Sequence, residues 1–342
     1  MSQTEITEPV PALDEMGHPQ NFGWARSPVI TYDSSLLAAP RRRRSEGDRY
    51  MLLSSTHTVL FEIMDDGYLG YLFITIVSRK DKKCTNMTLM TPFSLGGFEM
   101  PNDSDTFSIR FKRKKVHVNF ICMEGGVKLI KVDIPNFGPH RQSLVGQVVL
   151  TPPEGAEPLL THMPWRGNRK AFSCSRRSPW YFAEGVIQYG TSELVFTRGH
   201  GWGIFDLNRG VRPRSDLHFC AAACGQTEGR QAGFSVGFNS ADLSFCTENA
   251  FFLDGKIHKL DKVSFHIPSK RLEPWRFTSN DSRIEMTFMP QQERDENHQM
   301  FFYSFKRRQL FGSFSGRVML DDGSEFTFSD LLGIAERWKS RF

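Results

Sequence analysis

Between Phe107 and Ile134 the chain alternates apolar and polar residues with a period of two. Phe107, Ile109 and Phe111 alternate with Ser108, Arg110 and Lys112. After the turn Arg113-Lys114-Lys115, Val116, Val118 and Phe120 stand opposite His117 and Asn119, and Glu124-Gly125-Gly126 turns the chain into a further stretch, 127–134. Successive strand side chains point to opposite faces, so this pattern predicts a meander of antiparallel strands with short turns. The second half follows the same grammar. Segments 193–197, 233–238, 250–253, 263–267 and 283–288 read as short strands, and Asp321-Asp322-Gly323 reads as a hairpin turn between 318–320 and 325–328. One segment departs: Leu331 to Trp338 has helical spacing and is expected to form a short C-terminal helix. Long amphipathic helices do not alternate with the strands, which argues against a parallel α/β sheet. The expected class is all-β.

Thr151-Pro152-Pro153-Glu154-Gly155-Ala156-Glu157-Pro158 interrupts strand pairing with three prolines and a glycine. It divides the chain into an N-terminal tail (1–20), a first β-barrel domain (21–150), a linker (151–158) and a second β-barrel domain (159–342). Two antiparallel barrels in tandem are the simplest architecture, because closure removes exposed strand edges.

Composition changes this picture in one direction. The 342 residues include 30 Phe, 6 Trp and 7 Tyr, more aromatic surface than a core of this size requires. Phe251, Trp275, Phe288, Phe301, Phe302 and Phe314 are among those in the second half, and a barrel lined by such rings would hold a hydrophobic small molecule. A net charge of +5 is too slight for a dedicated nucleic-acid binder. The cluster Arg41-Arg42-Arg43-Arg44 reads as a solvated connection rather than an anion site. The six cysteines form no CxxC pair. His218, Cys220 and Cys224 would share one strand face and could offer soft metal ligands, but buried reduced thiols are the commoner outcome, so no metal is expected. Gly199-His200-Gly201-Trp202-Gly203 lacks the spacing of a dinucleotide loop, and no nucleotide cofactor is expected. Met1 to Gly17 lacks a secretory signal, and Tyr68 to Val77 is too short to span a bilayer as a helix, which needs about 20 residues. A cytoplasmic location and no integral membrane segment follow as expectations.

Polar clusters interrupt the apolar pattern of the second half. Asp206 and Arg209 could form an ion pair that fixes a loop, or an acid tuned by the arginine. Glu248 could serve as a general acid or base if it faces an apolar cavity, with Asn249 beside it. His298 is a proton-transfer candidate, next to Gln299. Trp275 and the turn residues His200 and Trp202 complete the candidate ligand contacts.

The C-terminal half also carries a resemblance. Glu273-Pro274-Trp275, Thr287-Phe288-Met289-Pro290, His298-Gln299, Phe311-Gly312-Ser313-Phe314-Ser315-Gly316, Asp322-Gly323 and Leu332-Gly333-Ile334-Ala335-Glu336-Arg337-Trp338 occur in order. Upstream stand Asn21-Phe22-Gly23-Trp24-Ala25, Asp206 with Arg209-Gly210, Thr247-Glu248-Asn249-Ala250, and Asp254-Gly255-Lys256-Ile257-His258-Lys259-Leu260. Together they resemble the bacterial family called domain of unknown function 2804, which is similar in outline to tandem lipocalin-like proteins such as carotenoid hydratases and the fungal survival-factor group. The resemblance implies two calycin-type barrels and a lipophilic ligand. Two positions depart from the family pattern. A W-x-W pair is represented by Leu217 and Phe219, and a lysine near the start of the second domain is replaced in the Ser175-Arg176-Arg177 region.

Three functional readings follow. The first is a hydratase or isomerase without metal or nucleotide cofactor, hydrating, isomerising or cyclising a carbon–carbon double bond. In it Glu248 or Asp206 protonates the alkene and His298 positions water or removes a proton. The second is a non-catalytic carrier of a lipophile. The third is a protein-interaction scaffold with a filled core, using Arg41 to Arg44 toward an acidic partner.

Overall fold

The computed structural model describes residues 3–102, 107–300 and 303–341. Phe301 and Phe302 lie outside them. Among the described residues there is no α-helix, only three short 3-10 turns at Ser34–Leu36, Arg41–Arg43 and Glu124–Gly126. The chain is all-β and divides into two compact units that are not consecutive halves. The larger takes Met1–Ala38, Gly155–Pro179 and Gly210–Phe342; the smaller takes Ala39–Glu154 and Trp180–Arg209. The sequential division expected from the proline-rich stretch therefore differs from the compact units. Its physical reason is strand length: Asn168–Tyr189 and Trp202–Val211 each contribute to both. Residues 3–20 are not a free tail either. Thr4 N–H donates to the Phe245 carbonyl at 3.0 Å, and the Gln3 side chain donates to the Leu260 carbonyl at 2.9 Å.

In the smaller unit the expected meander is present. Phe107–Arg113, Val116–Cys122, Lys128–Phe137 and Gln142–Thr151 pair antiparallel in sequence order, as do Arg44–Leu53, His57–Asp65, Leu69–Ser78 and Lys83–Pro92. Lys83–Pro92 and Phe107–Arg113 end the hydrogen-bonded path. Even so, Ile74, Ile109, Phe120, Val148 and Phe205 all belong to one buried cluster, so the sheet curls around a single core.

The larger unit holds a nine-stranded antiparallel sheet. Its order runs Lys256–Lys259, Ala250–Leu253, Arg230–Phe238, Ser215–Thr227, Glu325–Arg341, Tyr303–Met319, Ile284–Met300, Trp275–Ser279 and Val263–His266. One face packs Ala221, Ala223, Phe234, Phe251, Trp275, Phe277, Phe288 and Phe314 into a core. Phe288 stacks on Phe314 with centroids 4.3 Å apart, and Trp275 meets Phe288 edge-on at 6.2 Å. These rings were expected to line a ligand cavity; they pack on one another.

The C-terminal helix is replaced by strand. Residues 331–338 lie inside Glu325–Arg341, hydrogen-bonded to Ser215–Thr227 on one side and to Tyr303–Met319 on the other. Leu331 and Ala335 enter the core, whereas Ile334 and Glu336 are buried on the opposite face. A strand buried on both faces lacks a period-two signature, and its apolar positions mimic helical spacing. The lipocalin-like architecture stands, without the helix.

Candidate functional site

Two β-bulges give the large sheet a polar back. In Ile284–Met300 the register shifts between Pro290 and Gln292. Before the shift, even-numbered Ile284, Met286 and Phe288 fill the core. Beyond it, even-numbered Gln292, Arg294, Glu296 and His298 fall on the opposite face, because one extra residue reverses the alternation. A second shift lies where Phe314 pairs with Leu331 and Gly316 with Phe328, and it puts Ile334, Glu336 and Trp338 on that same opposite face.

Cross-strand registry then lines up two polar rows. Cys220 pairs with Glu336, Glu336 with Gln309, and Gln309 with Arg294. In the parallel row His218 pairs with Trp338, Trp338 with Arg307, and Arg307 with Glu296. The side chains bond along and between the rows. Gln309 donates to Glu336, and Arg294 donates to Gln309 Oε1 at 2.7 Å and to Glu296 Oε1 at 2.5 Å. Arg307 Nη2 donates to Glu296 Oε2 at 2.9 Å, and the Cys220 thiol lies 3.6 Å from Glu336 Oε2. His298 Nε2 stands 3.4 Å from Glu296 Oε1. Phe305 and Phe311 occupy the same face, in register with His298 and Gln292. The Glu296 and Glu336 carboxylates each accept from neighbours in these rows, which fixes the geometry of the network.

Glu248 sits at the His218 end of this face. It precedes Ala250–Leu253, on a loop fastened from several sides. Asn249 Oδ1 accepts from Gly237 N–H at 2.6 Å, and its Nδ2 donates to the Asp261 carbonyl at 2.8 Å. Lys259 Nζ donates to Thr247 Oγ1, the Asn249 carbonyl and the Leu260 carbonyl at 2.7, 2.9 and 3.0 Å. Burial pushes the Lys259 ammonium down to about 7. Thus held, the Glu248 carboxylate is 1% exposed, accepts from Arg177 and lies 2.8 Å from His218 Nε2. The His218 ring meets Trp338 edge-on with centroids 4.3 Å apart.

Charge decides what Glu248 can do. Burial alone would raise its pKa, but the Arg177 guanidinium and His218 outweigh burial and hold it down at about 2. Held toward the ionised form, it is placed to orient and charge-balance an imidazole. Because its pKa is depressed on folding, its stabilising contribution is complete above the ordinary value near 4.3 and disappears as pH falls through about 2. Urea unfolding between pH 5 and pH 2 should therefore show a smaller loss of stability for Glu248→Gln than for the wild type. Parallel pH slopes would contradict this electrostatic assignment.

The other sequence candidates divide between the units. His298 lies on the polar face beside Glu296, while the neighbouring Gln299 is exposed. Trp275 is a core residue, 4% exposed. Asn249 is occupied at both ends of its amide by the backbone. Asp206, Arg209, His200 and Trp202 belong to the smaller unit. The expected Asp206–Arg209 pair is not formed in a loop: both are on Trp202–Val211, where a spacing of three puts them on opposite faces. Arg209 instead binds Asp48 at 2.8 Å and the carbonyls of Pro101, Gly47 and Asn208, with no exposed surface. Trp202 packs on Trp180 at 5.2 Å, and His200 is exposed in the preceding turn.

Sequence reasoning named His218 and Cys220 only as a shared strand face with metal-binding potential. They do share that face, but their partners are Glu248 with Trp338, and Glu336. Among the described residues no group of three or more His, Cys, Asp or Glu is placed to hold a metal ion. Arg177 was missed as a site residue, although it lies in the segment that departs from the family's lysine. Among the described residues no helix is long and apolar enough to cross a membrane.

Comparison with known proteins agrees with the fold. Residues 3–342 match the family described as domain of unknown function (DUF2804), and the chain belongs to that family. No curated protein matches the sequence. Among solved structures, CghA in a crystal structure with Sch210972 superposes with a TM-score of 0.56 at 11% identity, covering 88% of this chain and 89% of that one. Kievitone hydratase from Nectria haematococca superposes with a TM-score of 0.51 at 9% identity, covering 87% and 88%. At such identities the likeness establishes the fold alone.

Proposed function

We propose that the protein binds a hydrophobic small molecule against the polar face of its larger unit and that His218 moves a proton in a cofactor-independent hydration, isomerisation or cyclisation of a carbon–carbon double bond. The observation that carries this reading is a buried imidazole whose Nε2 lies 2.8 Å from the buried Glu248 carboxylate. A carboxylate at one ring nitrogen fixes the tautomer and stabilises the imidazolium, leaving the other nitrogen to exchange a proton with substrate. Trp338, Phe305 and Phe311 supply apolar surface on the same face, and a ring can stabilise an adjacent developing cation. His298, paired with Glu296, is the second proton-transfer group on that face.

The first test is native mass spectrometry of gently purified protein, followed by extraction and identification of anything bound. A stoichiometric apolar compound, converted on incubation with the protein, supports the reading. A bound compound that is never converted favours the lipophile carrier. A protein left empty after exposure to a total lipid extract overturns both.

A further inference from the structure

The turn after Lys83–Pro92 holds two large apolar side chains outward in a backbone conformation they rarely adopt. Phe93 has φ 53° and Leu95 φ 47°, both left-handed. They are 72% and 41% exposed, and the adjoining Tyr68 is 40% exposed. The turn is fastened from within. Phe93 N–H donates to the Tyr68 carbonyl at 2.6 Å, Leu95 N–H to the Gly67 carbonyl at 3.0 Å, and the Ser94 hydroxyl to Asp65 at 2.7 Å. A bulky non-glycine residue at positive φ is costly, and glycine would serve a plain turn better. Two such residues, both apolar and both facing water, point to a use for the exposed side chains.

Basic groups surround this tip. Arg41 and Arg42, both exposed, belong to the arginine run that the sequence singled out. Arg41 Nη1 donates to the Leu95 carbonyl at 3.3 Å. Their backbone packs so closely on Gly67 that a Cβ there would meet the Arg41 carbonyl oxygen at 2.4 Å. On the other side Arg113 donates to the Met90 carbonyl, three residues before Phe93, and is followed by exposed Lys114 and Lys115. Glu99 is an exposed acid in the same loop.

We propose that this tip docks the protein on an anionic lipid bilayer, with Tyr68, Phe93 and Leu95 entering the interface while Arg41, Arg42 and Arg113 meet the headgroups. Apolar side chains rimmed by arginines match the two forces that bind peripheral proteins to membranes, burial of apolar area and attraction to anionic lipid. Three apolar side chains on one turn are far fewer than the roughly 20–30 residues that each partner gives to a stable protein interface. The inference is independent of the reaction proposed above.

The test is co-sedimentation of the full chain with phosphatidylcholine vesicles, with and without phosphatidylserine. The protein should sediment with the anionic vesicles and be released by high salt. The double variant Phe93→Asp/Leu95→Asp should bind at least about tenfold more weakly. Arg41→Gln/Arg42→Gln should bind about fivefold more weakly per charge removed. Because the aspartates could disturb folding, Phe93→Gly/Leu95→Gly supplies a second variant. It relieves both left-handed positions, so its Tm should be no lower than the wild type's while membrane binding is still lost. Absence of sedimentation with either vesicle, undiminished binding by the glycine variant, or saturable binding of a protein at this tip without lipid would each overturn the proposal.

Discussion

His218→Gln is expected to reduce turnover of the bound compound by about 10²–10⁴-fold, the range typical of losing a positioned general acid or base. The effect should fall on kcat. Glutamine fills a similar volume and can still bond Glu248, so KM should stay within about threefold if the residue acts in the transition state rather than in binding. Glu248→Gln should also depress kcat, because an amide cannot stabilise the imidazolium and leaves Arg177 facing a neutral group. The two losses should not add: once the imidazole is gone its carboxylate has nothing to orient, so the double variant should resemble His218→Gln. Steady-state kinetics on the compound identified by extraction would check this, with circular dichroism to confirm folding. Unchanged kcat in both single variants would remove the pair from the mechanism.

Arg209→Met is expected to lower stability by about 3–5 kcal/mol, the usual cost of breaking a buried ion pair from one side. Arg209 and Asp48 are both fully buried in the smaller unit, and the same guanidinium satisfies the carbonyls of Gly47, Pro101 and Asn208. Removing it leaves an uncompensated carboxylate beside Tyr50, whose hydroxyl is pushed well up by burial and by Asp48. Replacing both partners, as Arg209→Met/Asp48→Leu, should recover part of the loss, since two apolar groups no longer strand a charge. Urea unfolding of the three variants measures this. A loss within about 1 kcal/mol for Arg209→Met would show that the pair is not the anchor described.

These contrasts trace what the chain discloses before folding. The meander from Phe107 to Ile134 was legible because one face of each strand is buried and alternation survives. The strand at 331–338 was misread because both its faces are covered. His298 and Phe288 are both even-numbered, and only the bulge at Gln291 separates them onto opposite faces; a bulge leaves little trace in composition. Glu248 was legible as an isolated acid beside an apolar strand, but its ionised state was not, since Arg177 and His218 come from strands 71 and 30 residues away along the chain. Arg209 illustrates the reverse error. A spacing of three suggests a local pair with Asp206, whereas on a strand that spacing separates them, and the true partner lies far upstream.

The central claim, proton transfer through His218 on a bound hydrophobic compound, is tested most directly by deuterium incorporation. The co-purified compound is incubated with the protein in D₂O at neutral pH and its mass followed. The wild type should place deuterium on carbon in the converted compound, and His218→Gln should place essentially none over the same time. Equal incorporation by the wild type and His218→Gln, or none by the folded, loaded wild type, would contradict the account.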